Sequence, residues 1–422
     1  MKIHRAGILC AAVWLAAGLM RGDGPDTITA AGTEATLTPS PAPSPTPAPA
    51  PAAKPRIECV ESRGVVFRTP DGLFEGSLGF NFQGRFTYIN LDAAGGGIDA
   101  DEFRVRRFKL CLSGFALDPR LTWRLQLAFE STAANRTLDD AWINWRFDDA
   151  VQAQFGQYKT PYAREELYND GFIQFPERAI AVDAFKPSRD IGLMAAGSFG
   201  KNLFAYQAGV FGGDGQNTLR ATNHVMPMLR LVVNPIGVMG GTEADLQNHQ
   251  SPALSLGANG FVNTLRKTSA AGFEALALNY AAVTGWLGRN ANLFTTGEDV
   301  DIKSWGFDGQ FKWHGLTIQA EGFLGQAEGK TSGVRLYASG WYGQAGFFIL
   351  PEHLDVAGRY SIVDYNRNSN ASNISTVSAD TTYYFRRNCL KITLDYTRTH
   401  RERVGLPAAN DQAFLVQVQL MP

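Results

Sequence analysis

The sequence has almost no net charge and few cysteines. Its 422 residues carry 39 Lys and Arg against 40 Asp and Glu, so it lacks the basic surplus that nucleic-acid binding needs. The cysteines beyond residue 21 are Cys59, Cys111 and Cys389, an odd number spread far apart. They predict no disulfide framework, and a bond between Cys111 and Cys389 would require both side chains to face one interior.

Recognisable catalytic motifs are also missing. The sequence shows no serine elbow, no metal-ligand spacing and no glycine loop of the kind that cradles phosphate. The later histidines are dispersed over predicted turns, loops and one strand end: His224, His249, His314, His353 and His400. The sequence therefore predicts a protein that is not an enzyme and holds no cofactor or metal.

Only the N-terminus has a long apolar run. Lys2 and Arg5 lie before residues 6–20, which are uncharged and mostly apolar. This run is shorter than the roughly 20 residues that a membrane-spanning helix needs, so residues 1–21 are predicted to be a signal peptide. Residues 22–56 are rich in Pro, Ala, Ser and Thr, which predicts an extended periplasmic linker without a core of its own.

From residue 74 onward the chain alternates apolar and polar residues many times. In SWGFDGQFKW, Trp305, Phe307 and Trp313 share one face, while Asp308 and Lys312 share the other. Alternation alone fits a soluble sandwich as well as a membrane barrel. Export, strands of about ten residues and aromatics at strand ends favour a transmembrane barrel in the outer membrane, with its apolar face towards lipid.

Strand spacing predicts a single antiparallel β-barrel of about sixteen strands over residues 57–422. Its connections fall into a short set and a long set, as expected for the two rims of a barrel. Residues 234–252 are the exception, because the count puts them on the short rim. Either this turn is unusually long or the strands near it are miscounted.

The third long connection, residues 160–189, has many large apolar residues beside its charges. Leaving these groups in water costs about 25 cal/mol per Å² of apolar area. We therefore expect this loop to fold inward against the barrel wall and to narrow the pore. The alternative is a surface lid packed on neighbouring loops.

Several segments, in order, resemble the phosphate-selective porin O and P family of outer-membrane channels. They include FRVRRFKLCLSG, LDDAWINWRF, FGQYKTPYAREEL, PERAIAVDAFKPSRDIGLMAAGSF and GWYGQAGFFILPEHLDVAGRYSIVD, and the resemblance covers roughly residues 64–420. It implies a sixteen-stranded barrel, usually a homotrimer, with an inward third loop. It also implies that lumen-facing basic residues can attract phosphate or other anions.

The residues that match this role by alternation lie on strands and in the third loop. The strand candidates are Arg85, Arg107, Lys109, Arg124, Arg146, Arg230, Lys312, Arg359 and Lys391, and the loop candidates are Arg164, Arg178, Lys186 and Arg189. Carboxylates share the same faces: Glu130, Asp140, Asp308, Glu321, Asp355, Asp380 and Asp395, with Glu165, Glu166, Glu177 and Asp183 in the loop. Since paired charges attract little, we expect a porin for small hydrophilic solutes and ions with at most a weak anion or phosphate preference.

Two further features qualify this interpretation. The C-terminal strand ends in Met421 and Pro422 rather than in the aromatic residue common in such barrels. The Pro-rich linker also leaves an alternative function open, that of a structural barrel anchored in the cell envelope. The predicted partners are outer-membrane lipid, two further copies of the chain, and small solutes or anions, with no nucleic acid.

Overall fold

The computed structural model describes residues 56–60, 63–92, 97–129, 138–218, 223–269, 272–273, 285–369, 372–402 and 407–422. The predicted signal peptide, nearly all of the predicted linker and Glu130 lie outside the described residues. None of the helices within these ranges is long and apolar enough to cross a membrane.

The described residues form nineteen strands and a few short helices. The strands are β1 Arg56–Val60, β2 Gly64–Arg68, β3 Phe74–Leu91, β4 Ile98–Ala116, β5 Asp118–Ala128, β6 Leu138–Arg146, β7 Gln152–Lys159, β8 Arg189–Phe199, β9 Phe204–Phe211, β10 Met226–Ile236, β11 Ala253–Ser269, β12 Gly272–Phe273, β13 Asp299–Trp313, β14 Leu316–Gly329, β15 Arg335–Leu350, β16 Leu354–Asp364, β17 Asn373–Arg386, β18 Leu390–Arg401 and β19 Ala409–Leu420. The helices are α1 Arg164–Leu167, α2 Ile180–Phe185 and α3 Gly285–Arg289, followed by a 3-10 turn at Ala291–Leu293.

Sixteen of the strands close into a barrel. Each of β3 to β11 and β13 to β19 pairs antiparallel with the next, and β11 pairs directly with β13. The last strand returns to the first, with a register from Gln412 opposite Asn90 to Leu420 opposite Phe82. Strands β1 and β2 form a hairpin beside β3, and β12 pairs with the end of β11. The predicted sixteen-stranded antiparallel barrel is confirmed.

Alternation places polar side chains inside and apolar side chains outside. In β13, Ser304 and Gln310 are at most 1% exposed, whereas Trp305 and Phe307 are 42% and 59% exposed. Successive side chains of a strand point to opposite faces, so a period of two gives the barrel one apolar and one polar surface. The faces predicted for this strand are those observed, and the outer apolar surface suits contact with lipid.

The connections differ in length between the two rims, apart from residues 237–252, which we call turn 4. The strand count near it is correct, so this connection on the short rim is long. Its Ala244 and Leu246 are buried in a cluster with Phe348 of β15 and Tyr384 of β17. Turn 4 is therefore a packed element rather than a loose hairpin end.

A β-bulge interrupts the pairing of β3 with β4. Arg107 lies opposite Gln83 and Val105 opposite Gly84, so Arg106 is an extra residue on β4. A bulge shifts the alternation by one residue, because two residues then face one on the partner strand. The consequence is that Arg106 and Arg107 both direct their side chains to one carboxylate.

Candidate functional site

The connection between β7 and β8, residues 160–188, carries most of the candidate site, and we call it loop 3. Its apolar side chains are buried against inward-facing side chains of the barrel. Tyr162 stacks on Phe323 of β14, with ring centroids 5.7 Å apart, and Phe185 stacks on Phe323 at 5.6 Å. Trp286 of α3 covers Phe185 from another side at 5.9 Å. Burial of its apolar groups, which was expected for this segment, is thus observed.

Three arginines converge on Glu177 of loop 3. Arg85 Nη1 and Arg106 Nε donate to its Oε1 at 2.5 and 2.6 Å, and Arg107 Nη2 donates to its Oε2 at 3.1 Å. Burial opposes ionisation of Glu177, but Arg107, Arg106 and Arg85 together hold the pKa of this carboxyl well below its usual range. The Glu177 side chain remains 36% exposed. One negative charge therefore faces three positive charges in a place that water reaches.

The tip of loop 3 contains a second ionic cluster, centred on Asp170. Lys109 Nζ and Arg178 Nη2 donate to Asp170 at 2.6 and 2.7 Å, and Lys109 Nζ also lies 3.0 Å from Asp139 of β6. Burial would raise the pKa of Asp170, but Lys109, Arg178 and Arg107 hold it well below its usual range. The tip is thus fixed to the polar face of β4 and β6.

The start of loop 3 is held by strands on another part of the barrel. Arg164 Nε and Arg230 Nη1 donate to the two oxygens of Asp308 at 2.6 and 2.7 Å. The backbone N–H groups of Arg164 and Glu165 donate to Glu321 of β14, each at 2.7 Å. Ion pairs to strands on separate arcs of the barrel give loop 3 a defined course.

The other predicted basic residues divide into three groups. Paired ones include Arg189 and Arg124 on Asp140 at 2.7 and 3.3 Å, Lys186 on Glu166 at 3.0 Å, and Arg359 on Glu165 at 3.1 Å. Lys312 and Lys391 instead donate to backbone carbonyls, of Met239 and Ile173 respectively, at 3.0 and 3.1 Å. Arg146 lies at the short rim, where it is exposed and pairs with Asp149, away from the clusters at loop 3.

Two neighbouring cavities mark the space that loop 3 leaves open. One, of about 250 Å³, is lined by Asp140, Lys159, Asp170 and Arg189 among others, and the second, of about 170 Å³, by Arg63 and Lys109 among others. Arg124, Gln126 and Asn169 line both. The residues named put this space beside β4 to β8. Five basic side chains and two carboxylates line the two cavities.

Sequence reasoning missed several of these residues. Strict alternation from Arg107 and Lys109 places Arg106 on the apolar face of its strand. The one signal of a bulge in the sequence is the pair of consecutive arginines, Arg106 and Arg107, inside a strand. Lys159 has the parity of the outward-facing Phe155 and ends its strand, yet its Nζ donates to the carbonyls of Glu166 and Tyr168, each at 2.7 Å. Glu243 of turn 4 was missed because nothing in the sequence shows that this turn meets loop 3.

Residues 77–421 match the phosphate-selective porin O and P family. The chain belongs to this family. It is therefore a porin of the Gram-negative outer membrane, a channel through which small solutes diffuse, rather than an enzyme. A comparison with curated protein sequences finds no match.

Solved structures of outer-membrane proteins share the fold at low sequence identity. The anion-selective porin from Comamonas acidovorans is 9% identical, with a TM-score of 0.55 over 82% of this porin and 100% of that chain. The channel DcaP of Acinetobacter baumannii is 13% identical, with a TM-score of 0.52 over 84% and 99% of the two chains. OmpT of Vibrio cholerae, folded in vitro and described as a trimer form, is 10% identical, with a TM-score of 0.50 over 82% and 99%.

Metal-ligating side chains and cysteines form no further centre within the part of the chain that the structure describes. Across the described residues, no group of three or more His, Cys, Asp or Glu side chains is arranged to hold a metal ion. Cys111 is a free thiol, so the structure contains no Cys111–Cys389 bond.

Proposed function

We propose that this porin is a general diffusion channel with a weak preference for anions, and that loop 3 folds into the lumen and sets its narrowest point. The observation that carries the proposal is that Glu177 of loop 3 pairs with Arg85 of β3 and with Arg107 of β4. At the start of the loop, Arg164 pairs with Asp308 of β13, so loop 3 bonds to the polar face of the barrel on separate arcs. A loop on the outside of the mouth would leave these inward-facing groups to water.

Charge pairing argues for weak rather than strong selectivity. Most of the predicted basic residues pair with a charged carboxylate, and a neutralised pair attracts an anion little. The surplus of basic groups around the two cavities still favours anions over cations. A phosphate preference is the stronger form of the same proposal, and the family description supports it.

We also propose that three copies assemble in the outer membrane, with lipid around them. The support is the family and the trimer form of the OmpT structure. Cross-linking in a mild detergent tests it, because a band of three chains is expected before heating.

Planar-bilayer recording tests the channel properties directly. Deleting residues 165–185 should raise single-channel conductance, and an unchanged conductance would show that loop 3 never enters the bore. In a KCl gradient the reversal potential should show a small preference for chloride. A cation-selective sign would rule out the anion preference, and added phosphate that leaves the current unchanged would rule out its stronger form.

The envelope-anchor alternative concerns residues 22–56, which lie almost wholly outside the described residues. It stays a prediction. Removing residues 25–55 separates the two functions, since a channel conducts as before while an anchor leaves the cell-wall fraction.

A further inference from the structure

Turn 4 enters the barrel from the short rim and is held there by buried polar contacts. Lys312 Nζ of β13 donates to the carbonyl of Met239 at 3.0 Å and also to that of Thr242. Asp245 accepts the backbone N–H of Gly315 at 2.9 Å. With Ala244 and Leu246 packed on Phe348 and Tyr384, the turn is fixed to the inner face of β13, β15 and β17.

Turn 4 meets the tip of loop 3 through Glu243. The Glu243 backbone N–H donates to the carbonyl of Phe172 at 2.9 Å, and the Gln174 backbone N–H donates to Glu243 Oε2 at 2.6 Å. These reciprocal bonds join two segments that come from opposite rims. Glu243 is fully buried, so no water can replace loop 3 as the hydrogen-bond partner of its oxygens.

The barrel wall completes the contact. Gln319 Nε2 of β14 donates to Glu243 Oε1 at 2.7 Å, and Gln310 Nε2 of β13 donates to the Glu243 carbonyl at 3.3 Å. Gln310 also accepts from the hydroxyl of Tyr168 in loop 3 at 2.8 Å. Wall, turn and loop therefore form one hydrogen-bonded unit around Glu243.

The accessible surface is distributed unevenly around the bore. Gln319, Asp355 and Thr382, which face inward from β14, β16 and β17, are all 0% exposed. On the other side, 27% of the Arg124 side chain is exposed, and it lines both cavities. The covered side is the side on which turn 4 and loop 3 meet.

We propose that turn 4 is a second inward segment, that Glu243 is the residue that positions the tip of loop 3, and that together they close the β13–β17 side of the lumen. Solute then passes along β4 to β8. This inference rests on the proposed inward path of loop 3. It adds that Glu243 positions the loop and that the β13–β17 side of the lumen is closed. Neither statement follows from the presence of a constricting loop alone.

Thiol labelling in the intact porin tests which side is closed. In a background with Cys59, Cys111 and Cys389 replaced by Ser, Gln154→Cys lines the larger cavity. Thr382→Cys lies on the covered side, where Thr382 is 0% exposed and hydrogen-bonds to Asp380 and Thr393 of the wall. A charged methanethiosulfonate reagent should modify Gln154→Cys readily and reduce its conductance. Thr382→Cys should react at least about tenfold more slowly, because labelling at this buried position requires local opening. Equal rates would overturn the proposal without any change at Glu243.

Substitution of Glu243 tests the positioning role. Glu243→Ala should raise both the labelling rate of Thr382→Cys and the single-channel conductance. Glu243→Gln keeps an acceptor for Gln174 and should restore most of the wild-type values. Glu352→Ala, in an exposed turn of the same rim, is the matched control and should change neither. If deletion of residues 165–185 raises conductance while Glu243→Ala leaves both readouts unchanged, loop 3 constricts the pore but Glu243 does not position it. If the deletion also has no effect, the inward path of loop 3 itself is wrong.

Discussion

Arg106 and Arg107 are consecutive residues of one strand, yet both side chains bind Glu177, Arg106 Nε at 2.6 Å and Arg107 Nη2 at 3.1 Å. Neighbours on a regular strand point to opposite faces, so this arrangement depends on the bulge in β4. The bulge keeps the Arg106 guanidinium off the outer surface. The inner surface thereby has a third arginine beside Arg85 and Arg107. The three arginines share one carboxylate, which leaves a local excess of positive charge.

Removing that carboxylate should make the pore more selective for anions. In Glu177→Gln the three arginines keep a hydrogen-bond acceptor but lose the negative charge. For a permeant ion about 8 Å away in water, one unit of charge contributes about 0.5 kcal/mol, which favours chloride and opposes potassium by the same amount. The chloride-to-potassium permeability ratio should therefore rise about sixfold. The reversal potential in a KCl gradient measures this ratio. Glu352→Gln at the short rim is the control, and a shift of equal size there would show that position in the bore is irrelevant.

Arg124 should influence ion preference more than Arg146, although both were predicted from the same alternation. Arg124 lines both cavities, whereas Arg146 sits at the rim beside Asp149. Arg124→Glu changes the local charge by two units and should reduce the chloride-to-potassium permeability ratio about thirtyfold by the same estimate. Arg146→Glu should change it by much less. The site assignment fails if the two substitutions have equal effects on the reversal potential.

The pH dependence of stability should report on Glu165 in loop 3. Burial raises the pKa of this carboxyl to about 8, Glu243 and Glu321 add to the rise, and Arg359 opposes it. Between about pH 4.5 and 8 the folded porin therefore keeps a proton that the unfolded chain has lost. Its free energy of unfolding should fall as pH rises through this window, by at most about 1.4 kcal/mol per pH unit for one proton.

Urea unfolding in detergent at a series of pH values measures that slope. Glu165→Gln cannot titrate, so it should flatten the dependence, whereas Glu352→Gln should leave it in place. A slope that persists in Glu165→Gln would assign the titration to another group.

Loss of the Phe185 ring should loosen α2 rather than the barrel. The ring is fully buried between Trp286 and Phe323, and removing a buried phenylalanine ring costs about 3–5 kcal/mol. In Phe185→Ala, hydrogen exchange at the amides of residues 180–186 should quicken and open-channel current should become noisier. Phe307→Ala on the outward face removes the same ring where it is 59% exposed, and should leave both readouts near wild type.

The sequence predicted regular features of the fold well and irregular ones poorly. Strands such as β13 were predictable because lipid and water impose opposite demands on alternate residues. The bulge at Arg106 was not predictable, because one extra residue changes the face to which the side chains point without changing the amino-acid composition of the strand. The long turn 4 stood out by its position on the short rim, but its contact with Phe172 and Gln174 depends on where two distant segments end in space. Arg85 and Glu177 are 92 residues apart, and only the closed barrel brings them together.

Pairing of β19 with β3 joins the two ends of the barrel, and a side-chain bond crosses the same seam. Arg85 Nη2 and Nε donate to Gln417 Oε1 at 2.6 and 3.0 Å, across 332 residues of chain. The guanidinium that helps to hold Glu177 thus acquires its own support only when the final strand docks. A chain whose final strand has not yet docked contains every charged residue of the pore but has no closed barrel. We therefore expect the pore to become permeable only when the barrel closes.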